Sequence, residues 1–132
     1  MTIDDAEEFL GHNPDNGGSL KGYYEAGSLK KIVEWVGLSN KIIQNEYYLD
    51  NGKLIFVYST ESRYKYNDSL QVFDYSKPEL FFKGRYYFDN EKLFDVIINE
   101  KKHILSKQKD ATDFLTTTKE YKKLLTAKLF SK

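Results

Sequence analysis

Acidic residues are the side chains of this sequence best suited to catalysis, and several lie at predicted turns: Asp50, Asp68, Asp74 and Asp89. Glycoside hydrolysis needs two carboxylates facing each other across a cleft. Asp50 and Asp89 occupy equivalent turn positions, where aspartate is favoured for its own backbone hydrogen bonds. The segment Asp15–Gly18 lacks the ligand spacing of an EF-hand loop. We therefore predict no metal site and no cofactor, and Asp74 with Glu79 is the first acid pair to test for a hydrolase.

Other catalytic motifs are missing from the sequence. His12 and His103 are the only histidines, and no motif brings them together. The chain has no nucleophile elbow and neither of the two commonest glycine-rich nucleotide fingerprints. It has no cysteine, which excludes thiol chemistry, disulfides and cysteine-based zinc sites. The sequence therefore leans against an enzyme, and we predict no catalytic residue.

Charge and hydropathy exclude two further classes of partner. Lysine plus arginine number 20 and aspartate plus glutamate also 20, whereas nucleic-acid binding normally needs a basic patch. No apolar run approaches the roughly 20 residues of a membrane span. The first residues, Met1–Asp5, are acidic and unlike a signal peptide. We expect neither a nucleic-acid partner nor a membrane span.

Tyrosine pairs mark three stretches of similar pattern. Aromatic residues make up 16% of the chain, with 11 tyrosines, and such residues favour strands and contact surfaces. Each stretch has a Tyr-Tyr pair, a short polar turn and then a leucine: Gly22–Leu29, Glu46–Leu54 and Arg85–Leu93. The pattern predicts three hairpins with turns at residues 25–28, 49–53 and 88–92. In the third turn Glu91 replaces the glycine, which costs about 1 kcal/mol if that position is left-handed.

Sequential hairpins predict an antiparallel β-meander in a mostly β (α+β) fold, either an open curved sheet or a partly closed barrel, with one C-terminal helix. We predict a single domain, 1–132. Residues 1–19 form a lead-in with the composition of a flexible segment. Residues 20–106 form the sheet, with a long connection at 62–80 and a last short strand near His103–Leu105. The helix occupies 110–131.

Two helices are predicted from spacing and capping. Near the C-terminus a stripe recurs at helical spacing: Phe114, Thr118, Tyr121, Leu125 and Leu129. Near the N-terminus, Thr2 is a candidate cap for a short helix that Gly11 ends. The C-terminal stripe predicts that this helix lies on the sheet or across an open end.

Side-chain alternation assigns the tyrosine pairs to opposite faces of the sheet. Aligning the pairs groups Tyr23, Tyr47 and Tyr86 on one face, and Tyr24, Tyr48 and Tyr87 on the other. One group packs in the core, and exposed aromatic residues form a contact surface. The candidate binding residues are Trp35, Tyr47, Tyr58, Tyr64 and Tyr66. The alternative is cross-strand aromatic pairing that only stabilises the sheet.

The second and third tyrosine units also carry a family resemblance. Residues 46–58 and 85–93, with Arg63–Asn67 between them, resemble small bacterial secreted or lipoprotein-type proteins with Tyr-Tyr-x-Asp-Asn-Gly-Lys-Leu hairpins. This resemblance covers about residues 40–100 and implies a periplasmic or secreted protein, with no particular reaction. Single units are also similar to the hairpin repeats of MORN-type and antitoxin-like proteins.

Three functions are consistent with these patterns. The first is a non-enzymatic binding module that uses the aromatic sheet face or the 62–80 segment to hold a protein or envelope ligand. The second is a hydrolase with an unrecognised acid pair. The third is a cytoplasmic hairpin-repeat protein of structural or antitoxin-like type. The sequence leaves the oligomeric state open.

Overall fold

A computed structural model describes residues 1–99, 101–102 and 111–130. The described elements are β1 Thr2–Ile3, α1 Ala6–Leu10, β2 Gly18–Glu25, β3 Ser28–Gly37, β4 Lys41–Asp50, β5 Lys53–Asn67, β6 Val72–Asp89, β7 Lys92–Ile98, β8 Lys101–Lys102 and α2 Ala111–Phe130. All eight strands form one antiparallel sheet in chain order. This confirms the predicted mostly β meander with a C-terminal helix, and the sheet is open rather than closed into a barrel.

Three hairpins turn through two residues that both have positive φ. The pairs are Ala26 and Gly27 (51° and 80°), Asn51 and Gly52 (50° and 77°), and Asn90 and Glu91 (51° and 63°). Such turns match the right-handed twist of the flanking strands. Glu91 therefore occupies the left-handed position that glycine fills in the other two turns.

Each of these hairpins has a register shift at the same distance from its turn, so the distance of a tyrosine from the turn decides whether it faces the core. Tyr23 and Tyr48 each lie two residues before the last paired residue of their strand. Tyr23 therefore matches Tyr48 and not Tyr47. Its exposed fraction is 42%, whereas Tyr47 and Tyr86 are buried. The predicted grouping of faces was wrong for the first pair, because an offset of one residue moves a side chain to the other face.

Helix α2 covers one face of the sheet, which we call the core face. Phe114 lies 6.1 Å from Tyr47 and 4.9 Å from Tyr86, between ring centroids. The predicted stripe packs there through Tyr121 and Leu125, both buried. The core is completed by Ile3, Leu20, Leu29, Ile32, Leu49, Leu54, Val57, Phe88 and Val96. We call the opposite side of the sheet the open face.

The N-terminal segment contributes to this architecture. Strand β1 pairs with β2, and Ile3 and Ala6 are buried. Asp5 caps α1 in place of the predicted Thr2, because its carboxylate accepts a hydrogen bond from the Glu7 amide at 3.1 Å. Gly11 ends α1, as predicted, in the left-handed conformation. The predicted strand near His103–Leu105 lies outside the described residues.

The predicted connection at 62–80 is instead the far end of a hairpin. Strands β5 and β6 stay paired as far as Asn67 opposite Val72. The pairing on the other side of β5 ends at Lys41 opposite Arg63. The hairpin therefore projects beyond its neighbours, and we call residues 64–78 the arm. Its aromatic residues alternate with polar ones, which suits a strand with two different faces.

Candidate binding surface

Strand pairing brings aromatic residues into one line across the open face. In successive strands Tyr23 lies opposite Lys31, which is opposite Tyr48; Phe56 and Tyr87 follow. Directly opposite residues share a face of the sheet. Ring centroids are 5.5 Å apart from Tyr48 to Phe56 and 4.9 Å from Phe56 to Tyr87. A last ring, 6.2 Å from Tyr87, completes what we call the aromatic row: Tyr23, Tyr48, Phe56, Tyr87 and Phe94.

Lys31 is the cation within the aromatic row. Its Nζ lies 5.6 Å from the centre of the Tyr23 ring and 5.0 Å from that of Tyr48. It also lies 3.0 Å from Glu46 Oε1. The hydrogen bond with Glu46 raises the pKa of Lys31, with burial opposing it. The cation is thus held between two rings, where it fixes the geometry of the row.

Glu46 accepts hydrogen bonds from three side chains on the open face. Tyr48 donates its hydroxyl proton to Glu46 Oε1 at 2.9 Å, and Gln44 Nε2 lies 3.4 Å from Oε2. Burial raises the pKa of the Glu46 carboxyl, but the hydrogen bonds from Lys31 and Tyr48 outweigh it and hold this pKa below the ordinary value. The face therefore carries a fixed carboxylate beside its fixed cation.

Two further aromatic residues of the open face were predicted as binding residues. Tyr58 lies opposite Glu46 on one side and Arg85 on the other. The Arg85 guanidinium carbon lies 5.2 Å from the centre of the Tyr58 ring. Trp35, opposite Gln44, is half-buried. These residues extend the aromatic row by two further lines of side chains.

The arm carries a second aromatic cluster. Ring centroids are 4.7 Å apart from Tyr64 to Tyr75 and 5.1 Å apart from Tyr66 to Phe73. The Tyr75 hydroxyl donates a hydrogen bond to the Ser39 carbonyl oxygen at 2.9 Å, which ties the arm to the loop after β3. Tyr66 is 49% exposed and Tyr75 53%. The cluster therefore presents two large rings to solvent on a hairpin anchored at its base.

Strand β5 joins the arm to the open face. Its pairing with β4 is regular from Phe56 to Arg63 and places Phe56 and Tyr58 on the open face. Its pairing with β6 shifts in register between Arg63 and Lys65, where the arm begins. The arm therefore extends from the strand that carries Phe56 and Tyr58.

Of the five predicted binding residues, Trp35 and Tyr58 lie on the open face, and Tyr64 and Tyr66 lie in the arm. The fifth, Tyr47, is in the core with 1% of its surface exposed. Sequence reasoning missed Phe73 and Tyr75 because it treated 62–80 as a connection. Their alternation with polar neighbours was the available signal. It missed Tyr23 because the tyrosine pairs were aligned with each other and not with their turns.

Tyr47 belongs instead to a buried cluster around Glu34, whose exposed fraction is 7%. The Tyr47 hydroxyl and Asn45 Nδ2 donate hydrogen bonds to Glu34 Oε1 at 3.1 Å and 2.8 Å. Tyr121 of α2 donates to the other oxygen. Burial, and then the charge of Glu34, raise the pKa of Tyr47 and that of Tyr121 above the ordinary tyrosine value. The carboxylate thus joins α2 to two strands of the sheet.

Asp74 and Glu79, the acid pair considered for a hydrolase, make local contacts within the β5–β6 hairpin. Asp74 Oδ1 accepts a hydrogen bond from the Ser76 amide at 3.0 Å. Glu79 Oε1 lies 2.8 Å from Lys65 Nζ. Both carboxylates are exposed, and they bond to residues of the same hairpin. Within the described ranges, no three acidic or histidine side chains lie close enough to hold a metal ion.

Comparison with known proteins found no relative. No family model matches the chain, and no curated protein or solved structure matches it significantly. Among the described residues, no helix is both long enough and apolar enough to cross a membrane.

Proposed function

We propose that this protein is a non-enzymatic binding module that holds a protein partner against the open face and the arm. The observation that carries the proposal is the aromatic row on the face of the sheet opposite α2, together with the exposed rings of the arm. Tyrosine and arginine are the residues most often found at the energetic centre of protein interfaces. The surface combines such rings with cations held in place before any partner arrives.

Side-chain exposure favours this proposal over aromatic pairing for stability alone. Cross-strand aromatic pairing explains the position of Phe56, whose ring is half-buried between those of Tyr48 and Tyr87. It does not account for Phe94, which is 56% exposed at the end of the row. Nor does it account for the arm, where Tyr66, Leu70 and Val72 are each about half exposed or more. Apolar groups left in water at adjoining positions are typical of a contact surface.

Rigidity supports the same proposal. Binding costs free energy when loose side chains must be ordered. Here Lys31 is held by Glu46, and the arm is held at its base by the hydrogen bond from Tyr75 to Ser39. Large rings on a fixed sheet lose little further entropy in a complex.

Site-specific photo-crosslinking tests the proposal. A photoreactive phenylalanine analogue is placed at Tyr66, at Phe94 or, as the control, at Glu120 on the exposed side of α2. In extracts of the source cells we expect the two surface positions to capture the same protein and the control position not to. The proposal fails if no position captures a protein, or if Glu120 captures the same one equally.

Substitution gives a second readout for a captured partner. We expect Tyr64→Ala and Tyr66→Ala each to weaken binding of that partner by roughly tenfold, a typical effect for a central aromatic contact. Glu120→Ala is the matched control and should bind as the unmodified protein does. If both tyrosine variants fold and keep full affinity, the arm is not part of the interface.

A further inference from the structure

A groove runs between α2 and the hairpin turns, on the opposite side of the sheet from the aromatic row. Its larger part has a volume of about 590 Å³. Leu54 and Leu115 contribute apolar surface, and Lys119, Lys122 and Lys123 stand along its wall. This volume lies within the range of about 300–1,000 Å³ that is typical of small-molecule sites.

A smaller cavity of about 380 Å³ adjoins the first. The two share Gly52, Lys122 and Thr126 in their walls, and Leu29 and Leu129 line the smaller one. Lys122 Nζ lies 3.4 Å from the Gly52 carbonyl oxygen, so its ammonium group stands where the two cavities meet. The groove thus has leucine side chains on both sides of a central cation.

The larger cavity has an excess of positive charge. Three lysines line it against one carboxylate, that of Glu91, whose Oε2 lies 4.0 Å from Lys119 Nζ. A cationic ligand would meet these ammonium groups at close range, and an anionic one would be attracted by them. The neutral charge of the whole chain conceals this local excess.

We infer that the groove binds a small amphipathic anion, a single apolar chain that ends in a carboxylate. The chain would lie over Leu54 and Leu115, and the carboxylate would be held by Lys122 and Lys123. The apolar floor favours an amphipathic ligand over a purely ionic one, since a purely ionic ligand would leave that surface exposed to water. The lysines exclude an amphipathic cation. This site is separate from the proposed protein interface.

Titration with decanoate tests the inference, with butyrate and decyltrimethylammonium as controls for chain and charge. Calorimetry should show saturable binding of decanoate and none of either control at the same concentrations. In amide NMR spectra, the shifts should be largest at Gly52, Leu115 and Thr126 and absent from Phe56 on the open face. Equal binding of decyltrimethylammonium, or no binding of decanoate, overturns the inference.

Two variants locate the site. The double variant Lys122→Gln/Lys123→Gln removes the two cations proposed to hold the carboxylate and should bind decanoate about fivefold more weakly or worse. Thr126→Trp fills the groove from an exposed helix position and should abolish binding. Lys21→Gln, on the open face, is the matched control and should bind as the unmodified protein does. If all the variants fold and bind decanoate equally, the groove is not the site.

Discussion

Two neighbouring tyrosines show how the two faces of the sheet use the same chemistry differently. Tyr47 and Tyr48 each donate a hydrogen bond to a glutamate, Glu34 on the core face and Glu46 on the open face. Glu34 is buried and accepts hydrogen bonds from three uncharged donors: Asn45, Tyr47 and Tyr121. Glu46 is partly accessible and lies 3.0 Å from the ammonium group of Lys31.

The difference indicates which face serves stability and which serves binding. A buried carboxylate must have its hydrogen bonds supplied by the protein, so the Glu34 cluster holds α2 in one position. The open-face carboxylate is stabilised by water as well as by Lys31, and its loss leaves no buried group unpaired. Side chains there are ordered but remain available to a partner.

The largest difference in stability is expected between alanine variants of the adjacent residues Tyr47 and Tyr48. Tyr47→Ala removes a buried ring that contacts Phe114 and Tyr121, and it leaves a cavity. We expect it to lower the free energy of unfolding by about 3–5 kcal/mol. Tyr48→Ala removes cross-strand ring contacts and the partly accessible hydrogen bond to Glu46, and it should cost about 1 kcal/mol. Urea unfolding followed by circular dichroism measures both.

Tyr48→Ala serves as the control, because it deletes the same atoms one residue away. Equal losses of stability for the two variants would contradict the assignment of faces. A larger loss for Tyr48→Ala would place the core on the other side of the sheet.

The second-largest difference in stability is expected between alanine variants of Glu34 and Glu46. Glu34→Ala leaves the hydroxyls of Tyr47 and Tyr121 without their acceptor inside the protein, and we expect a loss of about 2–3 kcal/mol. Glu46→Ala should cost less than about 1 kcal/mol, because water replaces its contacts. The same unfolding measurement compares them. If Glu34→Ala is as mild as Glu46→Ala, the buried cluster does not hold α2.

Much of the fold could be predicted because its signals are local. Turn residues such as Asn51 and Gly52 identify a hairpin from a few positions, and sequential hairpins lead directly to a meander. The stripe that includes Tyr121 and Leu125 likewise identifies α2 from its own spacing. These elements agree with the structure because neither depends on a distant residue.

The candidate surface was predicted less well because faces depend on register. Tyr23 lies on the open face because its tyrosine pair stands one residue closer to its turn than the pair of Tyr47 and Tyr48 does, and this offset becomes visible only when the pairs are aligned by their turns. The arm forms because Tyr66 pairs with Phe73. The largely polar segment between these two residues resembles a loop in the sequence, so the pairing was not predicted. Glu34 could have been suspected from its place among alternating apolar residues of β3, but its partner Tyr121 lies 87 residues away in the chain.

The smallest predicted effect is a pH dependence confined to the open face. The Glu46 carboxyl has a pKa below its ordinary value in the folded protein, through Lys31 and Tyr48 and against the effect of burial. Its contribution to stability is therefore full above the pKa of the unfolded state, and it is lost as pH falls through the folded-state pKa. Lys31, with a raised pKa, loses its contribution only as pH rises above the ordinary lysine range.

Glu46→Gln isolates this contribution. We expect the unmodified protein to be more stable than the variant by less than about 1 kcal/mol near neutral pH. The difference should decrease as pH falls below the ordinary glutamate pKa of about 4.3 and vanish only below the lower pKa of the folded state, because only there is the carboxyl neutral in both folded and unfolded states. Urea unfolding across this pH range measures it. A difference that persists at the lowest pH would mean that hydrogen-bond geometry, and not the charge paired with Lys31, stabilises this side of the sheet.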